Sequence, residues 1–351
     1  MLTFRDYLRL LPKTELHCHF VATMSVGTLF RLARKHDVAL PGDDPERLLG
    51  YDNLVDFLVV FDAVHDVLKE PQDFRDVAYE GVRIGVESGN LRYREYFVNP
   101  QYFAARGIGY RTLMGSIIEG LSAAEQDFGV GFALNVAINR KESPESATEL
   151  VRTMLANPFD DVVGLGMDDL TPENTESPER FTEAYELARR NGLSLTAHVS
   201  ETAAAPPHNA ITALDLLRCE RLDHGYRVVD DPDVLERVRA DGVTFNTTPV
   251  SSSVVSRWPL DPAHPIRRML DAGLKVTVST DGAMFFRTDI GREYCEALAG
   301  MGVTAEEAKR IAMNGIDAAF CSDERKEDLR RSFRAQMLVL DAMLGDDAVR
   351  G

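Results

Sequence analysis

The segment TELHCHF, residues 14–20, sets two histidines two positions apart, His17 and His19. Three later segments carry matching chemistry. LSLTAHV runs into Ser-Glu and puts His198 three residues before Glu201; RLDHG holds Asp223 and His224; LKVTVST runs into Asp281 and Gly282. Singly, each is weak: paired histidines can be ordinary strand residues, a lone histidine is commonly a hydrogen-bonded core residue, and an isolated aspartate is often a helix N-cap. Together they make a set. His17, His19, His198 and Asp281 form a nitrogen–oxygen donor group suited to Zn²⁺, one per chain, or to another borderline divalent metal. A coordination position left to water would bring that water's pKa toward neutrality and make it a nucleophile. Glu201 and His224 remain over, and they are types that shuttle and orient protons. The other four histidines, His36, His65, His208 and His264, fall in expected helices or loops.

Such a set needs elements that bring distant residues to one place. Eight short apolar runs read as strands: 14–20, 91–98, 130–138, 161–167, 193–199, 221–225, 243–248 and 274–280. Between them lie stretches of helical period, such as SPERFTEAYELARRNG (177–192) and HPIRRMLDAG (264–273). Alternating strand and helix signals imply parallel strands joined by crossovers. Eight such units predict an α/β fold, a (β/α)8 TIM barrel forming a single domain over residues 1–351, with a helical insertion after strand one at about 24–85. A doubly wound open sheet is the alternative. Residues i and i+2 of a strand face the same side, so His17 and His19 are expected to point together. They would do so at the C-terminal strand end, where barrels carry their active sites.

Composition narrows the partners. The chain has 351 residues, 44% of them hydrophobic, and a net charge of −17. That acidity argues against a nucleic-acid partner, because a phosphate backbone is bound by clustered Lys and Arg. The four cysteines, Cys18, Cys219, Cys295 and Cys321, are far apart and form neither a disulfide framework nor a Cys-ligated zinc site. The opening MLTFRDYLRLLPKTE has no apolar signal core, and no apolar stretch is long enough to span a bilayer. The expectation is a cytoplasmic protein with a small-molecule substrate, no membrane partner, and self-association left open.

The motifs PKTELHCHF, HVSE, RLDHGYRV, TPVSS (248–252), HPIRRMLDAG and VTVSTDG resemble, in order, those of the adenosine deaminase family of the amidohydrolases. EYFVNPQ (95–101) and NLVDFLVVFDAV (53–64) also match family segments, so the resemblance covers roughly residues 10–320. It implies that His17, His19, His198 and Asp281 hold the metal. It also implies that Glu201 protonates the ring nitrogen beside the attacked carbon, that His224 holds and polarises the attacking hydroxide, and that Asp281 takes the water's proton. In the family, water adds to the amine-bearing carbon of a purine and ammonia leaves. Phe57 and Phe61, spaced i,i+4, match a region that lines the purine pocket; a core-facing stripe is the plain alternative.

Three positions depart from the family pattern. Phe20-Val21-Ala22 replaces the usual Leu-acid-Gly, so Val21 stands where nucleoside-using members hold a sugar hydroxyl. Asp169 falls where a glycine N–H contacts purine N3. Gly282 stands where a second aspartate reads N7. Metal and proton-transfer positions are kept and substrate-reading positions are not. The expectation is hydrolytic deamination of a purine-related ring that need not be adenosine, with Asp169 adding an acceptor and Gly282 adding room. The alternatives are attack on a non-purine heteroaromatic C–N bond, and a catalytically idle binding paralogue.

Overall fold

The computed structural model describes residues 1–345. Nine strand segments follow one another: β1 (Lys13–Glu15), β2 (Leu91–Val98), β3 (Gly131–Asn139), β4 (Val162–Asp168), β5 (Ser194–Leu195), β6 (His198–Val199), β7 (Arg221–His224), β8 (Thr244–Thr247) and β9 (Lys275–Val278). All pair in parallel, in the orders β1-β2-β3-β4-β5 and β6-β7-β8-β9. Parallel neighbours require crossovers, and helices such as Tyr110–Phe128, Pro144–Ala156 and Pro232–Asp241 supply them.

The two runs join at both ends into one (β/α)8 barrel. β5 and β6 are halves of the strand predicted over 193–199, interrupted at Thr196 and Ala197. Even there the backbone keeps its neighbours: Thr196 N–H donates to the Leu165 carbonyl (3.0 Å), and the Ala197 carbonyl accepts from Asp223 N–H (2.9 Å). At the other seam the regular ladder of strand one stops at Glu15, well short of the predicted residue 20. The physical reason is that the Ser279 hydroxyl, not a carbonyl, accepts the N–H groups of Leu16 and His17, both at 3.1 Å. The chain beyond stays extended. His19 N–H donates to the Asp281 carbonyl (2.9 Å), Asp281 N–H to the His17 carbonyl (3.1 Å), and Phe97 N–H to the Cys18 carbonyl (2.8 Å). These bonds seat the His-x-His segment between β9 and β2 and close the ring, which an open sheet would leave unpaired.

Between β1 and β2 the chain forms helices Val26–Lys35, Pro45–Leu48, Leu54–Val64 and Pro71–Gly89. Helix Leu54–Val64 is apolar on nearly every face. Asn53 starts it by accepting the Asp56 N–H at 3.1 Å, a side-chain N-cap. Phe57, Leu58 and Phe61 are buried, while Val55 and Val59 are exposed. The Phe61 ring meets the edge of the His19 imidazole at 5.2 Å between centroids, so this helix lies over the strand ends as a lid. Gly166 on β4 leaves space beneath: a Cβ there would come within 2.6 Å of the Phe97 ring. That ring in turn packs on His17, His19 and His198 at 5.0–5.5 Å. Among the described residues, no helix is long and apolar enough to cross a membrane.

Candidate active site

Four strand ends and the His-x-His segment converge under the lid. His17, His19, His198 and Asp281 are buried, and one donor atom from each lies within 4.8 Å of all the others. Their spacing is informative. His17 Nε2 and His19 Nε2 stand 3.4 and 3.3 Å from Asp281 Oδ1, and His198 Nε2 stands 3.3 Å from His19 Nε2. A tetrahedral ion with bonds of about 2.0–2.1 Å sets its ligands roughly 3.3–3.4 Å apart. Two imidazole nitrogens facing each other at that distance present lone pairs to a common centre.

The outer nitrogens of the three histidines explain the inward lone pairs. His17 Nδ1 lies 3.2 Å from Asp223 Oδ1, His19 Nδ1 3.3 Å from Asp168 Oδ2, and His198 Nδ1 3.8 Å from Asp223 Oδ2. None of these contacts is aligned as a hydrogen bond, but each faces a buried acceptor-only group, which keeps the proton on Nδ1 and leaves Nε2 free. Asp223 is itself held by Thr196 Oγ1 (2.6 Å) and Asn246 Nδ2 (2.8 Å), and Asp168 by Asn99 Nδ2 (2.7 and 2.9 Å). The cluster calls for positive charge. Burial by itself would lower His17, yet Asp223 and Asp281 push it up to about 10. The residues therefore fit a divalent cation, which would take the place of that proton.

Glu201 and His224 adjoin the donor set, with Glu201 Oε1 3.8 Å from His224 Nε2. Burial, followed by the nearby carboxylates of Asp281 and Glu176, pushes Glu201 up to about 8, so it is a neutral acid at pH 7. Burial, with His17 adding to it, lowers His224 to about 3, so it is a neutral imidazole. The backbone aims these groups. Ser200, His224 and Asp281 all have left-handed φ, at 54°, 65° and 62°, conformations that side-chain-bearing residues adopt at a cost and that collect at functional sites. Glu176 holds the first of these turns by accepting from Ser200 N–H (2.7 Å) and Glu201 N–H (2.9 Å). Ser251 donates to Asp281 Oδ2 at 2.5 Å.

A model of the adenosine deaminase family matches residues 12–335. The chain belongs to the adenosine deaminase family. It is 34% identical over 337 residues to the adenine deaminase of Streptomyces coelicolor, covering 95% of this chain and 96% of that one. Among solved structures, an amidohydrolase from Burkholderia ambifaria with bound zinc superimposes with a TM-score of 0.89 at 31% identity, covering 97% and 94% of the two chains. The adenine deaminase of Arthrobacter aurescens does so with 0.85 at 30% identity, covering 93% and 98%. Family membership makes this chain a hydrolytic deaminase.

The cavity beside the donor set is small and is lined by His19, His198, Glu201, His224, Asp281, Asp168, Asp169 and the lid residues Leu54, Phe57, Leu58 and Phe61. Phe57 and Phe61 line this cavity. Three substrate-facing expectations change. Val21 is buried in the turn Phe20–Thr23 and does not line the cavity. Gly282 adds no room: a Cβ there would stand 3.0 Å from Phe285 and 3.3 Å from Phe286, because those rings pack against Phe57 and fill the space. Asp169 is not a free acceptor. Its Oδ2 already takes the Tyr102 hydroxyl (2.5 Å) and the Lys141 ammonium (2.9 Å), and its Oδ1 takes the Leu170 N–H (2.7 Å). Asp168, Asn99, Glu176 and Ser251 escaped the sequence reading. Only their position at strand ends, in GLGMDD, and within TPVSS, could have pointed to Asp168 and Ser251.

Proposed function

We propose that this chain is a zinc-dependent deaminase of a free aminopurine base, adenine or a close ring analogue, with His17, His19, His198 and Asp281 as the ligands. When bound, the ion supplies a water nucleophile at neutral pH. Every other step falls to the chain. The lid rings of Phe57 and Phe61 and the side chains of Leu54 and Leu58 press the substrate ring into place and exclude water. Glu201, protonated through burial, donates to the ring nitrogen beside the carbon under attack. Asp281 and His224 face the same carbon and receive the proton that water gives up. One of them returns it to the amine, which leaves as ammonia, and the proton of the added hydroxyl goes to Glu201 as the carbonyl forms, restoring the acid.

The observation that carries the choice of a free base is the chemistry of the lining. Apart from the donor set, Glu201, His224 and the committed carboxylates Asp168 and Asp169, it is entirely aliphatic or aromatic. The inner cavity itself offers no cation to a phosphate and no uncommitted group to a ribose hydroxyl; Lys141, in the adjoining pocket, is paired with Asp169 at 2.9 Å. A buried polar group left without a partner costs about 1–3 kcal/mol, so a nucleoside loses affinity here at each sugar hydroxyl that enters. The adenine deaminase relatives and the zinc-bound neighbour support this reading. The test is ammonia release from adenine, adenosine, AMP, cytosine and a pterin. Adenine or another free ring is expected to give the highest kcat/KM, and adenosine performing equally well would refute the free-base assignment.

A further inference from the structure

Among the described residues the Glu201 carboxyl makes no hydrogen bond; it only faces His224 Nε2 at 3.8 Å. Its aim is therefore set by the main chain that carries it. Ser200, just before it, is left-handed at φ 54°, which turns two successive N–H groups the same way. Such a pair forms a concavity that suits an anion. Glu176 fills it. Its Oε2 accepts from Ser200 N–H (2.7 Å) and from Asn209 Nδ2 (2.6 Å), and its Oε1 accepts from Glu201 N–H (2.9 Å). On the far side of the turn, Ser200 Oγ donates to the Pro206 carbonyl at 2.9 Å, and the Ser200 carbonyl accepts from Arg227 N–H at 3.2 Å. Those bonds hold Ser200; the Glu201 N–H is held by Glu176. Glu176 is buried, in the loop that follows β4, where the linked hydroxyls of Thr171, Thr175 and Ser177 stand 2.8 and 2.7 Å apart. One carboxylate thus ties the end of β4 to the turn after β6.

The chemistry of the filling is specific. Three donors converge on Glu176, and both of its oxygens are in use. A carboxylate offers two acceptor oxygens, whereas an amide offers one oxygen and an NH₂ that only donates. Glutamine here would set its NH₂ against the Glu201 N–H or against the Ser200 N–H. Asn209 can flip its amide to suit; a backbone N–H cannot turn away. We propose that Glu176 is a positioning residue for the reaction's acid: its carboxylate, and not merely its shape, holds the Ser200–Glu201 turn and so aims the Glu201 side chain at the substrate ring. His198 is held separately, by pairing with Asp223 on β7 and by Arg140, which donates to its carbonyl. The metal ligand and the acid, three residues apart, therefore have different supports. The inference rests on the deaminase reading above and adds a residue to it.

The test is a set of full-length, zinc-loaded variants assayed on adenine, or on the best free ring of the panel. Glu176→Gln is expected to lower kcat about 10–100-fold with KM within about threefold, the scale of a small misplacement of a reacting group. Zinc affinity should be unchanged. Glu176→Ala should show the same pattern and serves if the glutamine variant does not fold. A double-mutant cycle shows through which residue Glu176 acts. The variant Glu176→Gln/Glu201→Gln should turn over within about threefold of Glu201→Gln alone, whereas independent roles would multiply the losses. A readout independent of turnover is hydrogen exchange, followed by mass spectrometry on peptides spanning residues 198–205. Losing the acceptor should speed exchange at the turn about tenfold or more while the β7 and β8 peptides keep their wild-type rates. Wild-type kcat in Glu176→Gln, multiplied losses in the double variant, zinc lost in step with kcat, or unchanged exchange at the turn would each overturn the proposal. Failure of wild type to release ammonia from any ring would refute the deaminase reading instead, and the exchange rates would still report whether Glu176 holds the turn.

Discussion

Asp223 touches no substrate-facing atom, yet it stands behind two of the three donor histidines, His17 at 3.2 Å and His198 at 3.8 Å. Asp168 stands behind one, His19 at 3.3 Å. Removing such an outer partner typically costs 10–100-fold in metal affinity. Counting about tenfold for each histidine served, Asp223→Asn should weaken zinc binding about 100-fold, or ~2.7 kcal/mol, and Asp168→Asn about tenfold, or ~1.4 kcal/mol. The asparagine swap is chosen because its shape is conserved. At 223 the amide oxygen can stay toward His17 Nδ1 and Asn246 Nδ2, with the amide nitrogen toward Thr196 Oγ1, whose hydroxyl can turn to accept. The amide nitrogen then also faces His198 Nδ1, so His17 loses mainly a charge while His198 loses its acceptor as well. Competition with a chromophoric chelator gives the zinc Kd of each variant, and a thermal melt checks that the barrel is intact. If Asp223→Asn binds zinc within threefold of wild type, or Asp168→Asn proves the weaker binder, the two-against-one argument is wrong.

Glu201→Gln keeps the shape and removes the acid; zinc content should be unchanged and kcat down by about 100-fold or more, measured by ammonia release. Because burial holds the working, protonated form of Glu201 up to about pH 8, wild-type kcat/KM should be flat below that limb and fall as pH rises through it; a nearby cation can only shift the limb downward, so activity still rising above pH 9 would rule Glu201 out as the acid. Gly282→Asp would press on Phe285 and Phe286 and bury a carboxylate, so it should cost about 1–3 kcal/mol of stability from overpacking alone and raise KM, read from denaturant midpoints and steady-state kinetics.

The parts of this site that were legible in the sequence are those whose signal is local. His17 and His19 advertise themselves by spacing, and His198, His224 and Asp281 by ending apolar runs. The eight runs themselves became barrel strands because alternating apolar segments and amphipathic stretches can bury their faces in few other ways. What stayed hidden depends on partners far along the chain. The shortened first strand is set by the hydroxyl of Ser279 on the last. Asp169 looked like a free acceptor because nothing near it announces Lys141 or Tyr102. Gly282 looked like added space because its filling, the cluster of Phe57, Phe285 and Phe286, assembles only when the lid helix folds over the mouth. Glu176 cradles a turn that begins 24 residues later, a distance at which no spacing rule operates.

The seam between β9 and the His-x-His segment has a consequence for how the protein is made. His17 and Ser279 are 262 positions apart, and the bonds that close the barrel there are made by the same backbone that presents His17, His19 and Asp281. During synthesis the first two histidines emerge early and the aspartate late. Until the ninth strand docks, the nascent chain carries only an incomplete, unaimed subset of ligands, and so holds no ion tightly. Completion of the ring and completion of the ligand set are thus one event. An ion that binds only the closed form stabilises it by RT ln(1 + [L]/Kd), about 2.7 kcal/mol at a free concentration 100-fold above Kd, and so acts as a latch set when the last strand arrives.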